Sequence, residues 1–455
     1  MKTLESILKK LNISGYRGII GEEINPEIIF DLVNCYLEFF NPRSLAVGMD
    51  TRPTSIYYKD LIKSLAISKE IDLYDFGIIP TPSLLFAVKE LGLDSGIMIT
   101  ASHNPIEYNA LKLIKKGGFF LFEEDIEGFK KNILDKDTQI IERGYSYSKY
   151  IGKCYNLDII DKHIDKISNY VDFDLIKRSN LKVACDFCNG ATIFSIPKLL
   201  DRLNVKFDSI FDDPKKAFER MPEPNQETMK YLSNFMKDKD YDLGFIYDPD
   251  GDRVVILLGD GKIISEEFML LFAYISYLNK RSSDIVVNLS TSKMIEIIAN
   301  EYGKKVYYTK VGEINVTKEM LNNNIKFGGE GNGGVIYFDI SNSRDSLVAT
   351  SLILELYAKN RELFYKIYDR FKDLVNLKKK FPKDNFNDER FERMIYNNFK
   401  DDLIDYSKID GVRFNFKNGF LHLRESNTEP IIRVIIEGNK EFVDDLSNKI
   451  DYYFS

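Results

Sequence analysis

Leu181-Lys182-Val183-Ala184-Cys185-Asp186 is a short apolar run that ends on an acid. It reads as a buried strand opening into a polar loop and then a helix. Two other stretches repeat the pattern. Ser44-Leu45-Ala46-Val47-Gly48-Met49-Asp50 also ends on an acid, and Asp284-Ile285-Val286-Val287-Asn288-Leu289-Ser290 ends in small polar residues. Continuous apolar strands that alternate with helical stretches build α/β units with mostly parallel sheets. Three such openings predict three related α/β domains. The C-terminal part differs. Gly411 to Leu423 alternates apolar and polar residues around Asn418-Gly419, which predicts a hairpin turning on that dipeptide. Ile431 to Glu437 reads as a further strand, and Glu441 to Phe454 carries helical spacing. A smaller α+β domain is expected there, entered through an extended, solvated charged stretch from Leu374 to Asn387. The expected domains are 1–147, 148–258, 259–366 and 367–455.

The chain has 455 residues, and at about 150 residues per domain this suggests roughly three. Its 63 basic and 70 acidic residues give a net charge of −7, which disfavours a dedicated nucleic-acid binder. With 44% hydrophobic residues, the chain reads as globular rather than disordered. Met1 to Leu11 has no uninterrupted apolar core, so no signal peptide is expected. The most apolar stretch, Phe268 to Leu278, is too short for a bilayer span and reads as a buried helix. Cys35, Cys154, Cys185 and Cys188 are too sparse for a disulfide scaffold, and a cytoplasmic home is expected. Cys185 and Cys188 form one C-x-x-C. A structural zinc site would want a second pair, and His103, His163 and His422 are the only histidines. Small residues at a strand end is the simpler reading.

Four loops carry chemistry. Thr100-Ala101-Ser102-His103-Asn104-Pro105 follows the strand Gly96-Ile97-Met98-Ile99, and strand ends are where α/β folds place ligands. Ser102 is a candidate nucleophile, although the stretch also reads as a capping turn before a proline. Asp248-Pro249-Asp250-Gly251-Asp252-Arg253 sets three carboxylates at alternate positions, able to converge on one hard cation. An EF-hand is excluded, because Arg253 stands where the loop glycine belongs and Gly259 where the bidentate glutamate belongs. With oxygen ligands alone on offer, Mg²⁺ is the expected ion. Gly328-Gly329-Glu330-Gly331-Asn332-Gly333-Gly334 leaves its backbone bare, with Glu330 and Asn332 suited to two sugar hydroxyls. By itself it also reads as a flexible glycine turn. Arg424-Glu425-Ser426-Asn427-Thr428-Glu429-Pro430, followed by Arg433, offers a forked cation and neutral donors. That suits a phosphate cradle or a capped polar turn. The loops fall in different expected domains, and an interdomain cleft is where they would meet.

Together these motifs resemble the α-D-phosphohexomutase family, most closely its phosphoglucomutase/phosphomannomutase-type members from archaea. The resemblance covers nearly the whole chain. It includes Ser14-Gly15-Tyr16-Arg17-Gly18, Val47-Gly48-Met49-Asp50-Thr51-Arg52-Pro53, Pro80-Thr81-Pro82, Tyr108-Asn109 through Lys112, and Thr309-Lys310-Val311-Gly312. It implies a heart-shaped, four-domain α/β architecture: three related mixed α/β domains and a smaller C-terminal α+β domain that binds phosphate. By the same resemblance Ser102 is the serine phosphorylated in the active enzyme. Asp248, Asp250 and Asp252 are the Mg²⁺ ligands, joined by an oxygen at Ser102. Glu330 and Asn332 belong to the sugar loop, and Arg424, Ser426, Asn427, Thr428 and Arg433 grip the phosphate not being transferred. Arg17, His103 and Lys112 serve charge stabilisation and proton transfer, and Arg253 and Lys310 line the substrate site. Relatives often carry a histidine where Gly334 stands, and many a serine where Asn332 stands.

The implied activity interconverts hexose 1-phosphate and hexose 6-phosphate, of glucose or mannose, through a phosphoserine. A hexose 1,6-bisphosphate serves as intermediate and activator. Small sugar phosphates are the expected partners, with no nucleic acid or membrane, in a monomer or homodimer. Glucosamine phosphate is the alternative substrate. Two rivals are a serine-nucleophile, metal-dependent sugar phosphatase and a non-catalytic sugar-phosphate binder. Binding alone needs neither Ser102 nor the acidic loop.

Overall fold

The structure, a computed structural model, describes residues 7–137, 151–384, 386–426 and 430–454. The chain divides into two compact units, Met1–Ile263 with Gly334–Lys359 and Ile264–Gly333 with Asn360–Ser455. Among the described residues no helix is long and apolar enough to cross a membrane.

The first unit holds two sheets. In one, the strands run Tyr16–Ile19, Tyr108–Lys115, Ser95–Ile99, Ser44–Met49, Asp72–Ile78 and Cys154–Asn156, with Phe119–Phe120 beside Tyr108–Lys115. Ser44–Met49 lies centrally and pairs in parallel with both neighbours, Leu45 opposite Ser95 and Leu73. Buried among strands and helices, it needs the continuous apolar run that it has. Tyr108–Lys115 returns antiparallel, setting Lys112 opposite Met98, and its other edge sets Ala110 opposite Arg17. Both cationic side chains thus reach the end of the sheet where Ser95–Ile99 opens into the serine loop. Helix Pro26–Phe40 starts on Asn25, whose side chain accepts from the Ile28 N–H at 3.0 Å, and buries Ile28, Ile29, Leu32, Val33, Tyr36 and Leu37. The second sheet orders Val254–Leu258, Leu243–Tyr247, Lys182–Asp186 and Lys206–Ile210, with only the first pairing antiparallel.

The second unit contains the parallel strands Val306–Thr309, Ile285–Asn288 and Phe327–Glu330. Glu267–Leu278 is a helix with every residue buried, as its unbroken apolarity predicts. A five-stranded antiparallel sheet follows, ordered Val375–Pro382, Ile431–Gly438, Gly419–Glu425, Val412–Phe416 and Leu403–Ser407. Helices Asp388–Phe399 and Lys440–Phe454 close over its apolar core, which includes Phe391, Ile395, Leu421, Ile432, Leu446 and Ile450.

The three openings read in the sequence share one local geometry. A side chain at the end of each strand, Asp186 and Asn288 as its last residue and Asp50 just after it, accepts a hydrogen bond from the N–H two residues on: Arg52 to Asp50, Cys188 to Asp186 and Ser290 to Asn288, each 2.9 Å. An Asp or Asn is needed there because its short side chain turns the chain in place of a backbone carbonyl.

Two sequence expectations need correction. Val375–Pro382 is not a solvated entry but an edge strand, paired from Val375 opposite Gly438 to Pro382 opposite Ile431. Lys378 and Lys380 face solvent, whereas Leu377 and Phe381 pack on the core. Charged residues on an edge strand discourage pairing with other chains. The hairpin turns one residue early. Phe416 pairs with Gly419, so Lys417 and Asn418 form the loop, and neither has positive φ. Gly419 is instead required by packing, since a Cβ there would run into the Glu437 backbone.

His422 ties the C-terminal sheet to the strand-end loop after Asn288. Its Nε2–H donates to the Asp410 carbonyl at 2.8 Å, and its Nδ1 accepts from the Ser290 hydroxyl at 3.0 Å. Burial, against the backbone and charge of Asp410 and with Arg413 and Arg424 nearby, lowers its pKa to about 4 from the ordinary 6.5. Between these values the unfolded chain binds the extra proton. Stability is therefore complete above about pH 6.5 and is lost as pH falls toward 4. Chemical unfolding followed by circular dichroism at pH 7 and pH 5 is expected to show a loss of about 2 kcal/mol that His422→Gln removes.

Candidate active site

Ser102 is 3% exposed and has φ of +50°, a left-handed backbone that a serine adopts only when its surroundings impose it. Arg52 imposes it. All five of its guanidinium N–H groups are engaged: Nε with Asp50 Oδ2 at 3.1 Å, Nη1 with the Pro105 and Tyr108 carbonyls at 2.6 and 2.9 Å, and Nη2 with the Ser102 and Asn104 carbonyls at 2.8 and 2.6 Å. Thr100 completes the frame, its hydroxyl donating to Asp50 at 2.7 Å and accepting from the Ser102 N–H at 2.9 Å. The loop is thus fixed through its backbone, and the Ser102 hydroxyl is left to face Asp248 Oδ2 at 3.3 Å and His103 Nδ1 at 3.5 Å.

Asp248, Asp250 and Asp252 are fully buried, with one oxygen of each within 4.8 Å of the others. Their loop is held by its backbone too. Ala191 donates to the Pro249 carbonyl at 2.7 Å, Thr81 to that of Asp250 at 2.8 Å and Ser346 to that of Gly251 at 3.3 Å. Gly251 has φ of +67°, and a Cβ there would press on Thr192 Cγ2 at 2.6 Å. Asp250 Oδ2 accepts from the Thr81 hydroxyl and from Lys112 Nζ, both at 2.6 Å, and Asp252 Oδ2 accepts from Arg344 Nη2. Among the described residues, Asp250 Oδ1 and Asp252 Oδ1 are buried without a hydrogen bond. An oxygen-only donor set with two orphaned acceptors fits a hard divalent cation.

The electrostatics agree. Burial, then the charges of Asp252 and Asp250, push the Asp248 carboxyl well above its ordinary range. Burial opposes the Asp252 charge as well, but Arg344, Lys112 and Arg253 outweigh it and hold that carboxyl far below the ordinary range. Three carboxylates this close ionise together only when positive charge is added. Arg253 is buried. Its N–H donates to Asp248 Oδ1 at 3.1 Å, and its Nη2 donates to His103 Nδ1. Burial and the neighbouring Arg253 and Arg17 hold the His103 pKa well below ordinary, so the ring is neutral at pH 7. Arg17 Nη1 bonds Asn104 Oδ1. Ser102, His103, Lys112, Arg17, Arg253 and the three aspartates are therefore one cluster.

The remaining predicted residues lie in the second unit. Glu330 ends its strand buried, with Oε1 accepting from Asn288 Nδ2 at 2.6 Å and from the Gly312 N–H at 3.0 Å. Asn332 is half-buried and Lys310 exposed. Arg424 and Arg433 sit directly opposite each other on adjacent strands. Burial lowers the Arg424 pKa, with Arg433 adding to the effect against Asp410 and Glu330. Like charges placed opposite each other are unfavourable, and a bound anion relieves them. The Ser426 N–H donates to the Ile431 carbonyl at 2.9 Å, closing the loop between those strands, while Asn427 and Thr428 lie outside the described residues.

Asp50, Arg52, Thr81 and Arg344 have no role assignable from the sequence alone. For Asp50 the available signal was the acid at a strand end, which Asp186 shares. Asp186 repeats the Asp50 role, taking Arg220 Nε at 2.8 Å, while Arg220 Nη2 donates to the Tyr247 carbonyl at 2.8 Å just before the aspartate loop. Cys185 and Cys188 are free and buried, and burial raises both thiols, Cys188 to about 12. They are packing residues, as the simpler reading expected.

A buried serine thus faces three clustered carboxylates whose oxygens could hold a cation, with guanidinium groups beside them, an arrangement of the kind that suits phosphoryl transfer. The chain matches four consecutive family models: phosphoglucomutase/phosphomannomutase alpha/beta/alpha domain I over residues 8–139, domain II over 161–261, domain III over 265–374, and the C-terminal domain over 374–450. It is 32% identical over 443 residues to a phosphoglucomutase/phosphomannomutase of Thermococcus kodakarensis, covering 94% of each chain. It is 30% identical to a phosphoglucosamine/phosphogalactosamine mutase of Sulfurisphaera tokodaii, covering 96% of each. A crystal structure of a phosphoglucomutase/phosphomannomutase family protein from Burkholderia thailandensis superposes with a TM-score of 0.81 at 21% identity, covering 98% of this chain and 97% of that one. The chain belongs to the phosphoglucomutase/phosphomannomutase family, with its three α/β domains and a C-terminal domain. It is a phosphohexomutase.

Proposed function

We propose that the protein moves a phosphoryl group reversibly between the 1- and 6-hydroxyls of glucose or mannose, with Ser102 as the carrier. Phosphoserine 102 donates to the free hydroxyl of a sugar monophosphate. The Oγ–P bond breaks as the sugar O–P bond forms, the proton of the attacking hydroxyl passes to His103 or to Lys112 in its neutral form, and the freed Oγ takes up a proton in turn. The resulting 1,6-bisphosphate turns end for end, and Oγ takes back the other phosphoryl. Added bisphosphate serves as activator by phosphorylating a bare Ser102. Arg17 offsets charge on the oxygens in transfer, which is where most catalysis of this chemistry arises. Held by Asp248, Asp250 and Asp252, Mg²⁺ would supply Lewis acidity to the same oxygens. In this reading Glu330 and Asn332 take sugar hydroxyls presented alike in both poses. Arg424, Ser426, Arg433, Asn427 and Thr428 hold the phosphate not in transfer, with Arg253 and Lys310 as further substrate contacts.

The observation that carries the proposal is the Ser102 hydroxyl fixed in left-handed backbone at 3.3 Å from Asp248 Oδ2. Glucosamine phosphate is the second reading, favoured by the name of the Sulfurisphaera tokodaii relative. The test offers glucose, mannose and glucosamine 1-phosphates with Mg²⁺ and the matching 1,6-bisphosphate. Conversion to the 6-phosphate is expected, fastest with glucose or mannose. A glucosamine preference transfers the assignment to that sugar. Stoichiometric inorganic phosphate with no 6-phosphate makes the protein a phosphatase and ends the mutase proposal.

A further inference from the structure

The sugar loop ends on Gly334, and the strand Gly334–Tyr337 that it begins belongs to the first unit with the aspartate loop. Opposite this strand the chain comes back: Ile336 bridges Arg344, and the Asp345 N–H donates to the Val335 carbonyl at 2.9 Å. Two further contacts fix the returning segment. The Ser346 N–H donates to the Gly251 carbonyl at 3.3 Å inside the aspartate loop, and Asp345 Oδ2 lies 3.0 Å from His163 Nε2 in the buried interior. Arg344 is thereby aimed across Gly334, with its guanidinium on Asp252 Oδ2. A Cβ at position 334 would overlap Arg344 Cδ and stand 2.8 Å from its Cγ. The arginine stem therefore lies in the space that a side chain at 334 would fill.

This has a chemical consequence for Asp252. Its Oδ2 is taken by Arg344, and its Oδ1, 3.5 Å from Arg253 Nε, is buried without a hydrogen bond among the described residues. Such a carboxylate presents one oxygen to a cation, not two. Asp250 is arranged alike, with Thr81 and Lys112 on Oδ2 and a bare Oδ1. One-oxygen carboxylates suit Mg²⁺, which demands a small octahedral shell, whereas Ca²⁺ takes more ligands and readily uses both oxygens. Resting on the cation reading given above, we propose that Arg344 is a positioning residue that sets the choice of metal: it holds Asp252 to one-oxygen coordination, and Gly334 is the vacancy that admits it.

The test is calorimetric titration of the full-length, dephosphorylated protein with Mg²⁺ alone and with Ca²⁺ alone. In the parent, Mg²⁺ binding that Asp250→Asn abolishes is expected. Arg344→Met lowers the preference for Mg²⁺ over Ca²⁺ by about tenfold or more, the usual scale of effects from outer-shell partners of metal ligands. Gly334→Ala, which forces Arg344 off Asp252 while leaving it in the chain, gives the same loss, and the double variant is no worse than either single one. Arg344→Lys keeps the charge but lacks the forked reach. It leaves the strand backbone untouched and falls between parent and Arg344→Met. An unchanged preference in Arg344→Met and Arg344→Lys overturns the proposal. A loss in Arg344→Met with none in a folded Gly334→Ala overturns the shared-space argument. A parent without Asp250-dependent Mg²⁺ binding overturns the cation reading itself.

Discussion

Ser102→Ala is expected to lower hexose-phosphate turnover at least ~10⁴-fold, on the scale seen when a covalent carrier is removed from an otherwise intact site. The fold should not pay for it. Among the described residues the Ser102 side chain has two long partners, Asp248 and His103, while the loop is framed by the Arg52 and Thr100 bonds to its backbone. Unfolding should therefore shift by no more than about 1 kcal/mol, the net worth of one hydrogen bond. Intact mass spectrometry supplies the second readout. Parent protein incubated with the 1,6-bisphosphate gains a phosphoryl, and the variant gains none. Mg²⁺ binding persists in the variant, because the three aspartates keep their own supports. Turnover within tenfold of the parent, or a phosphoryl mapped to another residue, would remove Ser102 from the carrier role.

How far the sequence foretold this site depends on what each residue has to do. Ser102 and the aspartates were legible because reactive groups crowd into short polar loops after apolar strands. The strand-end acids were legible as a pattern, but their purpose was not. Asp186 takes its arginine from 34 residues on, and pairing at that distance leaves no spacing to read; Arg52 stands only two residues after Asp50, but the loop carbonyls it grips, from Ser102 to Tyr108, are some 50 residues away. Arg344 was invisible for the same reason: a lone arginine in a polar turn acquires meaning only when the chain folds back over Gly334. The Val375–Pro382 strand was missed because three consecutive lysines, Lys378 to Lys380, mask the alternation of Leu377 and Phe381. The hairpin register failed on a stronger signal. Asn418-Gly419 favours a turn centred on itself, yet close approach to the Glu437 backbone claims Gly419 for the strand.

Removing Arg52 should be as damaging as removing the serine, by a different route. Asp50 is fully buried. Burial raises its carboxyl above the ordinary value, and Arg52 and the Thr100 hydroxyl pull it back. In Arg52→Met that carboxylate loses its cation, and the carbonyls of Ser102, Asn104, Pro105 and Tyr108 lose their donors together. Breaking a buried pair from one side costs about 3–5 kcal/mol, so a lowered unfolding midpoint is expected. Arg52→Lys separates stability from catalysis. Its ammonium can stay beside Asp50, but it cannot at the same time aim four N–H groups in a plane at four carbonyls. Much of the stability should return, while the loop loses its fixed left-handed turn at Ser102 and turnover stays down by about 10²-fold, the scale of a small misplacement of reacting atoms. The check is to measure turnover and bisphosphate-driven phosphorylation of Arg52→Lys at a temperature where unfolding curves show it fully folded. Parent-like turnover in that folded variant would mean that the charge on Asp50, and not the five-point grip on the loop, is what Arg52 contributes.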